Sequence, residues 1–116
     1  MGVFMPESVK SSMVDDLILL RRHQRLMNEV FTRHGLSFRE GIVLVTLAER
    51  TSSQRELAEL VDLYYSSISQ AVTDCKEKGL LVQAVDESDG RRKRVTLTNK
   101  GLEMVNSLKR VWQEGA

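Results

Sequence analysis

Apolar residues recur at helical spacing over the first third of the chain. After Met13 they return at intervals of three to seven residues, the intervals that keep side chains on one helix face: Leu17, Leu20, Met27 and Phe31. This periodicity predicts an amphipathic helix over residues 13–34. Gly35 follows and is suited to end it, because glycine adopts the left-handed cap conformation without steric cost. The polar residues 1–12 contain the only proline and predict an N-terminal arm of uncertain order.

The starts of the next two helices are marked by paired hydroxyl and carboxylate residues three positions apart. Ser37 with Glu40, and Ser53 with Glu56, form capping boxes in which each side chain bonds the other residue's backbone amide. The apolar positions that follow are expected to face the core: Ile42, Val43, Val45, Leu47 and Ala48 in the second helix, and Leu57, Ala58, Leu60 and Val61 in the third.

A fourth helix is predicted over residues 65–78. Its buried stripe is Ile68, Val72 and Cys75, at spacings of four and three. Gly79 ends this helix, and the period then changes to that of a strand.

Residues 80–98 predict a two-stranded hairpin. Leu80, Val82 and Ala84 alternate along the first strand, and the Asp89-Gly90 pair is typical of a tight hairpin turn. Thr98 is suited to cap a last helix over residues 99–114, whose apolar side carries Leu102, Val105, Leu108 and Trp112. The order is α-α-α-α-β-β-α in one domain over residues 13–116, with no internal repeat.

Composition narrows the class of protein. The chain has 116 residues, 41% hydrophobic and 28% charged, which fits one globular domain. It has no apolar run of about 20 residues that would predict a transmembrane helix. The single cysteine suits a reducing, cytoplasmic environment. The net charge of +1 means that a case for nucleic-acid binding rests on where the charges lie.

Two short helices joined by a tight turn and followed by a hairpin indicate a helix-turn-helix over residues 53–78 with a wing over residues 80–98. The outer side of the second helix carries hydroxyls, an amide and a phenol: Tyr65, Ser66, Ser67, Ser69, Gln70 and Thr73. Hydroxyls bond phosphates, and glutamine makes paired bonds to adenine in the major groove. The same residues also suit an ordinary solvent-exposed helix face, so this face alone does not establish DNA contact.

The hairpin tip is the stronger indication. Four cations follow the Asp89-Gly90 pair in consecutive positions: Arg91, Arg92, Lys93 and Arg94. Arginine on a thin hairpin enters the minor groove, and Asp89 is placed to hold the Arg91 guanidinium. In isolation such a tip is more often a solvated charged surface; directly after a helix-turn-helix, DNA contact is favoured.

Residues 53–101 resemble the MarR family of winged helix-turn-helix regulators. The resemblance is carried by Glu56-Leu57-Ala58, by Gly79-Leu80-Leu81, by Asp89-Gly90-Arg91, and most specifically by the sequence VTLTNKG at 95–101. Residues 37–50 are similar to the family's second helix.

The resemblance implies a homodimer on a near-palindromic operator, with the fourth helix in the major groove and Arg91 at the minor groove. Cys75 departs from the family's usual leucine, and the family's sixth helix has no counterpart in these 116 residues. The similarity therefore extends to short relatives such as the staphylococcal SarA proteins. Helices 13–34 and 99–114 are expected to form the dimer interface, through Leu17, Leu20, Met27, Phe31, Val105, Leu108 and Trp112.

Other readings have less support. Cys75 lies on a buried stripe, which favours a core residue over a redox sensor. His23 and His34 lack partners at metal-ligand spacing, and no phosphate-binding loop or nucleophile motif is present. We therefore expect no enzyme, metal or cofactor. The sequence predicts a regulator that binds double-stranded DNA, and it favours a repressor over an activator. No membrane association is expected, and the sequence does not identify a small-molecule effector. The alternative is a winged-helix interaction module that dimerises with, or antagonises, another regulator.

Overall fold

The computed structural model describes residues 12–50, 52–85 and 93–114. The helices are α1 (Met13–Arg33), α2 (Phe38–Glu49), α3 (Gln54–Leu60), α4 (Tyr65–Glu77) and α5 (Asn99–Gln113), and the strands are β1 (Ser52–Ser53), β2 (Leu81–Val85) and β3 (Lys93–Leu97). The predicted class is confirmed: the fold is mainly helical with a small antiparallel sheet. None of the described helices is long and apolar enough to cross a membrane.

The predicted helix starts are confirmed. The Ser37 hydroxyl accepts the Glu40 amide and the Glu40 carboxylate accepts the Ser37 amide, and Ser53 and Glu56 make the same exchange at α3. The Thr98 hydroxyl accepts the Gly101 amide at 3.0 Å. Each cap bonds an amide that the helix itself leaves without a partner.

The predicted helix ends are also confirmed. Gly35 and Gly79 have φ of +74° and +75°, the left-handed region that glycine enters freely. After each glycine the chain bonds back to the last helical turn, Leu36 N–H to Phe31 O and Leu80 N–H to Cys75 O, both at 3.0 Å. This is the Schellman arrangement, and it satisfies carbonyls that the helix leaves open.

The sheet has one strand more than the sequence predicted. β1 pairs with β3 through Ser52–Val95 and Ser53–Arg94, so the order is β1-β3-β2. Two serines carry neither alternation nor β-branched side chains, so the pattern had no strand to detect. Both serines are buried.

Three positions correct the predicted burial. Leu60 is 48% exposed on α3, and Val82 and Ala84 face solvent from β2. Within the strands the buried residues are instead Leu81 and Val95. Leu80 is also buried, but it lies before β2, and the alternation of the strand itself starts from Leu81, so that Val82 and Ala84 face outward.

The core lies between α2, α4, α5 and the sheet. Its fully buried large side chains come from every described helix and from both hairpin strands: Val30, Val43, Leu44, Leu57, Ile68, Val72, Cys75, Leu80, Leu81, Val95, Val105 and Leu108. The predicted stripe of α4 is therefore confirmed. In α1 only Val30 and Phe31 are buried, so the N-terminal half of that helix extends away from the core.

Candidate nucleic-acid interface

The turn between α3 and α4 sets the angle of the helix-turn-helix. Leu63 N–H bonds Ala58 O at 3.0 Å, and Asp62 has φ of +55°, a conformation that aspartate tolerates better than most residues. Leu63 packs against the core, and Tyr64 is the N-cap of α4. The turn thus directs α4 across the core with one face outward.

α4 is fixed from below by apolar packing. Ile68, Ala71, Val72 and Cys75 are buried at 0–3% exposure, which leaves the opposite side of the helix on the surface. Burial raises the pKa of the Cys75 thiol to about 12, with a further contribution from the Glu40 carboxylate. The thiol is therefore protonated, and its role is packing.

The outer face of α4 is uncharged over its first nine residues. Tyr65, Ser66, Gln70 and Thr73 are exposed, whereas Ser67 and Ser69 are half-buried. Of the six side chains predicted to face outward, four do so fully and two lie at the flanks of the helix.

Two of these side chains are held by bonds within α4. Gln70 Nε2 donates to Asp74 Oδ1 at 2.9 Å, and the Thr73 hydroxyl donates to Ser69 O at 3.0 Å. Asp74 thus orients the carboxamide of Gln70 and leaves its Oε1 and one N–H toward the surface. A carboxamide held in one pose loses less conformational freedom when it bonds a partner.

The hairpin that follows is formed by β2 and β3, in register from Leu81–Leu97 to Val85–Lys93. Lys93 and Arg94 are exposed on β3, and as neighbours in a strand they point to opposite faces. Asp89, Gly90, Arg91 and Arg92 lie outside the described residues, so the predicted wing tip stays a prediction.

An ion pair that the sequence did not reveal ties the C-terminal end of α4 to α2. Lys78 Nζ lies 2.7 Å from Glu40 Oε2 and 3.0 Å from Gly35 O. Glu40 is 4% exposed. Burial opposes its charge, but the bonds from Lys78 and Ser37 outweigh it and lower the pKa of the carboxyl.

The other side of this helix end is held by the start of α5. Lys100 Nζ donates to Lys78 O at 2.9 Å, and the Thr98 hydroxyl donates to Gly79 O at 2.7 Å. The positions of α2, α4 and α5 are thus coupled at one point. Sequence spacing identified Glu40 only as a cap, because its partner is 38 residues away.

The residues predicted for a dimer interface fall into two groups. Leu17, Leu20, Met27 and Trp112 are 37–56% exposed. Phe31, Val105 and Leu108 are at most 6% exposed. They pack in the core of the chain itself, because α5 lies across α2. They are therefore not on the surface that a second copy could contact. Trp112 also makes an edge contact with the ring of His23, with centroids 6.4 Å apart.

A cleft of about 390 Å³ opens between α1, α2 and α5. Its walls are mainly apolar and include Met27, Phe31, Val45 and Trp112, with Glu49 and Lys109 at the edges. The volume lies within the range of small-molecule sites. In the described ranges, no three His, Cys, Asp or Glu side chains come together as a metal site.

A helix-turn-helix with a fixed outer face, followed by a hairpin, defines a winged helix-turn-helix protein. The family model described as the MarR family matches residues 34–92, about half of the chain. The chain belongs to the MarR family.

Solved structures of transcription regulators superpose on most of the chain. MepR, a transcription regulator of the Staphylococcus aureus multidrug efflux pump MepA, superposes with a TM-score of 0.79 at 16% identity, over 91% of this chain and 79% of that one. The S. aureus MepR–DNA complex gives 0.75 at 17% identity, over 90% and 80%. A probable transcriptional regulator from Pseudomonas aeruginosa gives 0.71 at 25% identity, over 84% and 76%. No curated protein sequence matches the chain.

Proposed function

We propose that the protein is a sequence-specific transcription regulator that binds double-stranded DNA as a homodimer and represses by occupying a near-palindromic operator. The observation that carries this proposal is the outer face of α4. It is exposed, free of charge from Tyr65 to Thr73, and fixed to the core on its other side. A face of this kind suits the floor of the major groove, where short polar side chains bond base edges.

The likeness of the fold to that of S. aureus MepR, which has been solved in complex with DNA, supports DNA as the partner. In the proposed complex Ser66 and Tyr65 bond backbone or base groups near the start of α4, and Gln70 reads a base with the part of its carboxamide that Asp74 leaves open. Repression is preferred to activation because it needs only occupancy of a promoter.

The wing extends the contact to the adjacent minor groove. We propose that Arg91 enters this groove, that Asp89 orients it, and that Arg92, Lys93 and Arg94 bond the phosphates. Arg91→Ala should weaken binding by roughly 1–3 kcal/mol without loss of fold. Arg92→Ala should mainly reduce the dependence of affinity on salt.

The exposed half of α1 supports the homodimer. Met13, Val14, Leu17, Ile18, Leu19 and Leu20 are all 48–87% exposed, and a contiguous apolar surface of this kind usually marks a site that a partner covers. A second copy covers it by two-fold symmetry. Two recognition helices then meet DNA about one helical turn, or roughly 10 base pairs, apart.

The recognition of a specific DNA sequence by α4 is tested by the ratio of the protein's affinities for two duplexes. One carries the DNA upstream of the protein's own gene, and the other is random. Gln70→Ala should lower the preference for the upstream duplex about 5–100-fold, with a much smaller change on random DNA. Asn106→Ala removes an exposed amide from α5 and serves as the matched control. Equal losses on both duplexes would show that α4 does not read bases.

The interaction-module alternative is favoured by the same apolar surface of α1. Salt distinguishes it: DNA affinity falls with a log-log slope of about −0.9 per neutralised phosphate, and apolar association does not weaken with salt. If the wild-type protein shows no measurable salt slope on either duplex, the DNA proposal is wrong and the interaction-module function takes its place.

A further inference from the structure

The first turn of α2 and the outer face of α4 lie on opposite sides of a polar cleft of about 450 Å³. Ser37 and Arg39 line it from α2. Ser66, Ser67, Gln70, Ala71 and Asp74 line it from α4. The cleft therefore adjoins the face proposed to read DNA, although α2 lies outside the helix-turn-helix.

The cleft has the chemistry of a phosphate site. Arg39 is exposed, and its guanidinium has no ion-pair or hydrogen-bond partner within the described ranges. Ser37 Oγ accepts the Glu40 amide, so the hydroxyl proton of Ser37 is left to donate. The hydroxyls of Ser66 and Ser67 line the same cleft from α4. Guanidinium and hydroxyl groups both donate hydrogen bonds that phosphate oxygens accept.

The one carboxylate in the cleft determines which end suits an anion. Asp74 accepts Gln70 Nε2 and lies eight residues beyond Ser66, about 12 Å along the axis of α4 at 1.5 Å per residue. This distance exceeds the screening length of about 8 Å at physiological salt. An anion at the Ser66 and Ser67 end of the cleft is therefore largely screened from the Asp74 carboxylate.

A duplex with α4 in its major groove brings phosphates to this place. The groove is about 12 Å wide and a helix with its side chains measures about 10–12 Å, so the bordering strand runs along the flank of α4. We infer that the DNA interface continues onto α2, where Arg39 binds a backbone phosphate of that strand. This inference rests on the proposed function and assigns Arg39 a sequence-independent contact.

The test is the salt dependence of binding to a random-sequence duplex, measured by fluorescence anisotropy between about 50 and 200 mM salt. Arg39→Gln should reduce the log-log slope by about 0.9 per bound protomer, equivalent to a roughly 3.5-fold smaller loss of affinity over that range. Arg39→Lys should keep the wild-type slope, because it keeps the charge. Arg50→Gln makes the same change at the other end of α2, roughly 16 Å away by helix rise, and should leave the slope unchanged.

The outcomes separate this inference from the function on which it rests. A steep wild-type slope with an unchanged Arg39→Gln slope would overturn the role of Arg39 and leave DNA binding in place. A wild-type protein without a salt slope would overturn the proposed function itself. Titration with inorganic phosphate tests whether a small anion occupies the cleft. If phosphate binds saturably and Arg39→Gln abolishes this binding without changing the salt slope of DNA binding, the cleft is a small-anion site instead.

Discussion

Glu40 joins a local bond to a distant one. One of its carboxylate oxygens accepts the Ser37 amide at 2.7 Å and closes the capping box of α2; the other accepts Lys78 Nζ at 2.7 Å. The carboxylate is buried and fully bonded, whereas Lys78 is 42% exposed. Water therefore screens part of the attraction, and the contribution of this pair is moderate compared with that of a fully buried pair.

The pair makes stability depend on pH in a defined direction. The pKa of Glu40 is lower in the fold than its usual value of 4.5, so the ionised carboxylate stabilises the fold above that value. The contribution is lost as the pH falls through the folded pKa. We expect Glu40→Gln to lower the free energy of unfolding by about 1–2 kcal/mol at neutral pH. In urea unfolding, the difference from wild type should shrink as the pH falls below 4.5.

Glu77→Gln is the control for this measurement. Glu77 is exposed near the same end of α4, and its replacement should change stability by less than about 0.5 kcal/mol at any pH. A difference between Glu40→Gln and wild type that stays constant to low pH would contradict the role of the charge.

Cys75 gives a second prediction at the scale of the residue. Burial, with the nearby Glu40 carboxylate, raises the pKa of its thiol to about 12. Because the thiolate is the reactive species, the native protein should react with a disulfide reagent orders of magnitude more slowly than the same chain in concentrated guanidinium chloride. Rapid reaction of the folded protein at about pH 8 would show that the thiol is accessible and ionisable, and would restore the redox-sensor reading.

At the scale of the element, close packing against the entry of β2 requires glycine at position 101, near the start of α5. A Cβ built on Gly101 overlaps the backbone carbonyl of Leu80, which cannot rotate away. The carbonyl also accepts the Thr98 amide at 3.1 Å. α5 therefore approaches the entry of β2 as closely as backbone contact allows.

Gly101→Ala should therefore destabilise the protein although alanine favours helices. The gain in propensity is about 1 kcal/mol, but overpacking against backbone should leave a net loss of about 2–3 kcal/mol in the free energy of unfolding. Gly35→Ala is the comparison: it adds a methyl group in open space at φ +74° and should cost about 1–2 kcal/mol through backbone strain alone. A Gly101→Ala protein as stable as wild type would show that α5 can move away from β2.

At the scale of the whole molecule, two leucines that looked equivalent by periodicity have different surroundings. Leu20 on α1 is 55% exposed, whereas Leu108 on α5 is 2% exposed. Leu20→Asp should yield a folded monomer, because it places a charge on the proposed dimer surface and leaves the core unchanged. Leu108→Asp should unfold the chain, because it buries an unpaired charge.

Sedimentation equilibrium at micromolar concentration, with circular dichroism, separates the two effects. Wild type is expected to sediment as a dimer and Leu20→Asp as a monomer with wild-type helix content. A folded wild-type monomer would overturn the homodimer, whereas an unfolded Leu20→Asp protein would show that α1 is stable only in the dimer.

The features that the sequence determined by itself depend on interactions between residues only a few positions apart in the chain. The capping boxes at Ser37 and Ser53, the left-handed glycines at 35 and 79 and the buried stripe of α4 follow from local hydrogen bonds, local dihedral angles and helical period. The outer face of α4 was predicted by the same period, and only its flanking members Ser67 and Ser69 are more covered than expected.

Only the tertiary structure decided the features that join distant segments. β1 exists because Ser52 and Ser53 meet β3, and Lys78 becomes the partner of Glu40 because α2 and α4 cross. The same crossing creates the cleft of Arg39. Periodicity marks Leu20, Phe31 and Leu108 alike as apolar, but burial depends on which face another element covers. An interaction between residues close in sequence is specified by their spacing, whereas one between distant residues depends on the packing of the whole chain.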